Sequence, residues 1–171
     1  ILPDIDAATR KAMFTLAERH PNTLFPTLGL HPTSVSNNWK GEMDAVESSL
    51  GNHKIYAIGE IGIDCYWSKE FLEEQKEVFM SLLEIAHKSG LPVIIHSRES
   101  TELIINILKE YKHLPLRGVF HAYSGSAETY HELQKLGDWY IGIGGVLTYK
   151  KASIAETVKN IPLERIVLET D

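Results

Sequence analysis

A single cysteine, Cys65, stands in 171 residues. No internal disulfide can form, and so sparse a use of thiols fits a reducing compartment, which makes a cytoplasmic location the expectation. No run approaches the roughly 18 apolar residues of a membrane span, and no charged-then-apolar leader opens the chain. Basic residues are short as well: 17 Lys and Arg face 23 Asp and Glu, for a formal net charge of −6. That balance excludes a broad basic face gripping phosphate backbones, so any nucleic-acid contact must be local or carried by bound cations. The glycine-rich dinucleotide fingerprint is also missing. Gly142-Ile-Gly144-Gly145 has the wrong spacing and no helix follows it at once.

What is present is an ordinary globular composition, 43% hydrophobic and 23% charged, in a length that suits one domain over residues 1–171. Strand-like runs occur at 24–30, 55–58, 92–95, 119–120, 139–147 and 165–168. Helical patterns separate them, including a long stripe of Leu72, Phe79, Leu83 and Ala86 that Gly90 closes. Alternation of this kind means parallel strands joined by crossover helices. A doubly wound sheet and a (β/α) barrel both satisfy it.

The stretch Ile55-Tyr-Ala-Ile-Gly-Glu-Ile-Gly-Ile-Asp64 carries the first chemical signal. A carboxylate, Glu60, appears between two glycines where a buried strand is expected to end, and a charge there is costly unless a metal or partner compensates it. The device recurs. Strand ends read His31, Glu60, His96, His121 and Asp171, and imidazole with carboxylate suits zinc, manganese or related divalent ions. His20, His53, His87, His113 and His131 fall in helices or loops and are read as solvated surface, and Asp64 as a turn residue.

Five motifs in order carry a resemblance: Gly59-Glu-Ile-Gly-Ile-Asp64, Leu91-Pro-Val-Ile-Ile-His-Ser-Arg98, Phe120-His-Ala-Tyr-Ser-Gly125, Tyr140-Ile-Gly-Ile-Gly-Gly145 and Leu168-Glu-Thr-Asp171. Together they resemble the TatD family of metal-dependent deoxyribonucleases in the amidohydrolase-like barrel group, and Gly29-Leu-His-Pro32 and Gln75 look like family positions too. The resemblance implies a (β/α)8 TIM-type barrel with about six of eight strands present. It implies a site for two divalent metal ions, zinc, magnesium or manganese. Glu60 would bridge them, His96 and His121 would hold one, and Asp171 would ligate the other and handle the proton of the attacking water. The His-x-His pair that the family places on its first strand is absent here, and the chain opens at Ile1 rather than Met. An internal piece of a longer protein, of about 250 residues as barrels typically are, is therefore expected. Ala122-Tyr123 replaces the more usual cysteine and phenylalanine, and Cys65 stands where an aromatic is usual.

The expected reaction is hydrolysis of phosphodiester bonds in single-stranded DNA, by a monomer that touches no membrane. Arg98 is a candidate phosphate fork, and His31 a contact for phosphate or an ion. Tyr66, Trp67 and Tyr123 lie beside ligand positions and suit stacking on an unpaired base. Two alternatives stay open. A related barrel hydrolase would act on amides, lactones or phosphotriesters, often with a bridging carbamylated lysine, yet no lysine ends a strand. A non-catalytic barrel would keep its fold without Glu60 and lose no activity.

Overall fold

The computed structural model describes residues 1–170. In chain order its main elements are α1 (Ala7–Arg19), α2 (Trp39–Ser49), β1 (Ile58–Asp64), α3 (Leu72–Ser89), β2 (Val93–Arg98) and α4 (Thr101–Glu110). Then come β3 (Arg117–Phe120), α5 (Ala127–Leu133), β4 (Asp138–Ile143), α6 (Ile154–Val158) and β5 (Ile166–Leu168). The strands form one sheet in sequence order, every pair parallel. A helical segment lies between successive strands, so each connection crosses over and returns the chain in the same direction. All strands therefore deliver their carboxyl ends to one side of the sheet.

The segment expected as a strand over 24–30 is reduced to isolated parallel bridges, Leu2 to Pro26 and Leu28 to Ile58. Pro26 lacks the N–H that a regular ladder needs at that point. It still extends the sheet's order beyond β1, since Tyr56 N–H donates to Pro26 O at 3.0 Å and Leu28 N–H to Ala57 O at 3.1 Å. The last glycine-rich strand is also shorter than expected: β4 stops at Ile143 and a 3-10 turn takes over at Gly145–Thr148.

β1 is buried along its whole length, as a strand covered on both faces must be. Ile58, Ile61 and Ile63 are fully inaccessible, and α3 covers them with Val78, Phe79, Leu82 and Leu83. Each such side chain contributes about 1.5–3 kcal/mol by leaving water. α3 ends because Gly90, at φ 65°, takes the left-handed cap that reverses the chain into β2. One histidine read as solvated is not: His53 is half-buried, stacked on Phe14 with centroids 3.9 Å apart and rings 8° from parallel. His20, His87, His113 and His131 are exposed.

Candidate metal centre

β1 does not end at Ile58. It runs through Glu60 to Asp64, and the reason is a bulge. Ile58 pairs with Val93 while Ile61 pairs with Ile95, three steps on one strand against two on the other. A bulge re-aims the side chain it carries without ending the strand, and here that side chain is Glu60, in a peptide that is cis to Gly59. The bulge is pinned from the other side. Gly59 N–H donates to Leu28 O at 2.9 Å, Asp4 N–H to Gly59 O at 3.2 Å and Glu60 N–H to Asp4 O at 3.1 Å, with the Thr27 hydroxyl on Gly59 O as well. Asp4 is in turn fixed through its side chain. Its Oδ2 accepts from Arg10 Nε at 2.7 Å and Gly29 N–H at 3.0 Å, and Arg10 Nη2 donates to Gly29 O at 3.0 Å. His31 N–H donates to Ile5 O at 2.9 Å. A buried ion pair and its neighbours thus hold the backbones of His31 and Glu60 in fixed relation.

Three imidazoles converge on one carboxylate oxygen. Glu60 Oε1 lies 3.0 Å from His96 Nδ1, 3.5 Å from His31 Nε2 and 3.9 Å from His121 Nε2. Each ring is held by its other nitrogen. His31 Nδ1 meets Thr33 Oγ1 at 2.7 Å, His96 Nε2 meets Asp64 Oδ2 at 2.9 Å and His121 Nδ1 meets Glu169 Oε2 at 3.0 Å. These partners are themselves anchored. Asp64 N–H donates to Gln75 Oε1 at 2.9 Å, and Glu169 Oε1 accepts from Ala122 N–H at 2.6 Å, where Ala122 adopts a left-handed φ of 44°. Two glycines make the approach possible. A Cβ on Gly62, opposite His96 in the ladder, would fall 2.0 Å from His96 O, and one on Gly142 would fall 2.0 Å from Glu169 Oε2.

Charge follows from this geometry. Burial alone would raise the Glu60 pKa, but hydrogen bonds from His31 and His96 and the His121 charge overcome it and hold the carboxyl far below its usual range. Asp64 is likewise kept low: burial opposes ionisation, and His96 with the N–H groups of Tyr66 and Trp67 outweighs it. His96 feels the converse. Burial pulls the imidazole down, and hydrogen bonds to Glu60 and Asp64 more than restore it, leaving its pKa raised. His31, Glu60 and His96 each offer a ligand atom within 4.8 Å of the others. Two imidazoles and one anionic carboxylate, with the His96 ring oriented by Asp64 and the His31 ring by Thr33, whose N–H donates to His31 Nδ1 at 3.2 Å, have the chemistry of a borderline divalent-cation site.

The family model described as TatD related DNase matches residues 1–171. The chain belongs to the TatD-related DNase family. It is similar to YabD of Bacillus subtilis, an uncharacterized metal-dependent hydrolase, at 36% identity over 86% of this chain and 58% of that protein. It is similar to YjjV of Escherichia coli, also called a metal-dependent hydrolase, at 33% identity over 100% of this chain and 66% of the other. The crystal structure of YjjV, a TatD homolog, superimposes with a TM-score of 0.87 over 99% of this chain and 65% of that one, at 31% identity. A TIM-barrel protein of Bordetella bronchiseptica shares the fold at a TM-score of 0.67 and 14% identity, covering 99% of this chain and 63% of the other. The architecture is therefore a TatD-like TIM barrel, and the chain spans about three-fifths to two-thirds of these relatives.

Of the TatD residues expected at the site, Glu60, His96 and His121 are brought together, and His31 stands inside the cluster beside His96, their rings 4.6 Å apart. Asp171 lies outside the described residues. Arg98 ends β2 and is exposed, its guanidinium 3.8 Å from the centre of the Tyr66 ring. Tyr123 is a correction. It is 5% exposed, with its hydroxyl donating to Ser126 O at 2.7 Å, so it is a core residue with no open face for a base. Asp64 does hold the turn after β1, through the N–H groups of Tyr66 and Trp67, but it is also buried and bonded to His96. Glu169, Asp4 and Arg10 also serve the site without having been singled out for it. A strand read through to Asp64 would have placed Glu60 and Asp64 an even number of residues apart, hence on one face.

Proposed function

We propose that this TatD-family chain carries the metal site of a deoxyribonuclease that hydrolyses phosphodiester bonds of DNA, with two divalent cations, in the cytoplasm. The observation that supports it is one buried carboxylate oxygen facing three imidazoles at 3.0, 3.5 and 3.9 Å. Glu60, His96 and His121, with His31 beside them, are the residues that would hold a first cation, and Glu60 with Asp171 a second. When bound, such cations lower the pKa of water and neutralise charge on the phosphoryl oxygens.

The chain's own groups do the rest. Glu60 stays ionised because the rings around it favour its charge. Asp64 and Glu169 accept from His96 and His121, which fixes the tautomer that leaves the inward nitrogens as lone-pair donors. Asp171 is assigned the proton of the attacking water. A hydrolase of amides or lactones remains the second reading, without a lysine among the described strand ends to bridge two ions as a carbamate.

The test compares wild type with Glu60→Gln on single-stranded DNA and on a lactone panel, with Zn, Mn and Mg and after chelation. Hydrolysis of DNA that chelation abolishes and Glu60→Gln removes, with the far-UV spectrum intact, is the expected result. Lactone turnover without DNA cleavage, or a Glu60→Gln protein as active as wild type, would overturn it.

A further inference from the structure

Tyr66 and Trp67 follow β1 after Cys65 and leave 50% and 70% of their surface in water. Large rings left open side by side mark contact surfaces, because covering them is strongly favourable. The two rings meet edge to face, centroids 4.9 Å apart at 83°. The Arg98 guanidinium lies 3.8 Å from the Tyr66 centroid and 5.4 Å from that of Trp67. That is a cation resting on π-faces, and among the described residues no carboxylate forms an ion pair with it. The cluster thus offers ring surface and a positive charge in one place, on a chain whose net charge is −6.

The cluster is also wired to the metal centre. Asp64 Oδ1 accepts from Tyr66 N–H at 2.9 Å and Trp67 N–H at 3.2 Å, while Oδ2 of the same carboxylate holds His96 Nε2 at 2.9 Å. Arg98 sits opposite Asp64 in the β1–β2 ladder, two residues beyond His96. One side chain therefore sets the aromatic pair and the His96 ring in a common frame.

We propose that Tyr66, Trp67 and Arg98 form a stacking site for one unpaired nucleobase next to the scissile phosphate. This rests on the nuclease reading and deepens it. A nucleobase presents a flat π-face to the rings, and its own phosphate is an anion for Arg98 to hold. Inside a duplex both faces of a base are covered by its neighbours, so the site selects single strands or frayed ends.

The experiment measures kcat and KM for wild type, Tyr66→Ala, Trp67→Ala and Trp67→Phe on a short oligo-dT, and on the same strand with an abasic residue beside the cleaved bond. Stacking on one base accounts for a rise in KM of about tenfold in Trp67→Ala, with kcat held within about twofold, and Trp67→Phe restores most of the loss because it keeps a ring. Wild type on the abasic strand shows the same rise, and Trp67→Ala adds little to it. Equal KM values for wild type and both alanine variants, or an abasic strand cleaved as well as the intact one, would overturn the proposal. Affinity of the metal-free proteins for oligo-dT, by fluorescence anisotropy, separates the two readings. If no DNA is cleaved but Trp67→Ala weakens that affinity, the nuclease reading fails and the stacking site stands. If DNA is cleaved and the affinity is unchanged, only the stacking site falls.

Discussion

Replacing Asp64 by Asn changes one oxygen for an NH2 group in a side chain only 2% exposed. The Oδ1 end still accepts from Tyr66 and Trp67 at 2.9 and 3.2 Å, so the turn after β1 is retained. The Oδ2 end is where the damage falls. His96 Nε2 loses a charge-assisted acceptor at 2.9 Å, and such a bond contributes about 1.5–3 kcal/mol against about 0.5–1.5 for a neutral one. The difference, about 1–1.5 kcal/mol, is about tenfold in a binding constant. A second effect adds to it. An amide N–H aimed at Nε2 favours the tautomer protonated on Nδ1, the nitrogen that faces Glu60 at 3.0 Å and that must be free to ligate. Together these place Asp64→Asn about 10–100-fold below wild type in metal affinity, the range for residues that orient a metal-binding histidine. Calorimetric titration with zinc at about pH 8, where histidine protonation competes little, reads the constant directly. Zinc bound as tightly by Asp64→Asn as by wild type, within about twofold, would refute the assignment of His96 Nδ1 as the inward ligand.

The same ring gives a pH dependence with two signs. In metal-free protein the folded His96 pKa is raised above its ordinary 6.5, chiefly by Glu60 and Asp64 working against burial. Its stabilising share is then full below 6.5 and lost as pH climbs through the folded value. Metal binding needs the neutral ring, so metal-loaded protein gains stability over that window, and Tm scans of the two forms from about pH 5.5 to 8.5 are expected to slope in opposite directions. Arg10→Ala leaves the buried Asp4 carboxylate without its partner at 2.7 Å. The cost is about 3–5 kcal/mol, read as a urea midpoint lowered by about 1–2 M. Tyr123→Phe removes only the hydroxyl's bond to Ser126 O. It is expected to lower stability by about 1 kcal/mol in urea titrations and to leave KM for single-stranded DNA at the wild-type value.

Much of the site was legible because its ligands stand where short apolar runs give way to polar residues. His31, His96 and His121 follow such runs at 24–30, 92–95 and 119–120, and the parallel sheet brings them within 3.9 Å of Glu60 Oε1. The end of β1 was not legible. A charge between two glycines looks like a strand terminus, and only the ladder with β2 shows that a bulge carries Glu60 and lets the strand continue to Asp64. Asp64 and Glu169 were passed over because an acceptor behind a histidine needs no special residue type or spacing. Tyr123 was misplaced for a related reason: adjacency to His121 in sequence does not tell which way a ring turns, and this one turns into the core.

By itself the sequence determined the order of strands and crossover helices, since apolar periodicity is local and survives without any knowledge of neighbours. It also showed imidazole and carboxylate following short apolar runs, but not that β1 continues past Glu60 to Asp64. Only the tertiary structure decided which atoms face each other: that His31 joins Glu60 and His96, that Asp4 and Arg10 hold the frame beneath them, and that Arg98 rests on Tyr66. Those relations run between residues far apart in the chain. They arise from sheet register and from the direction of each side chain, which no local pattern encodes.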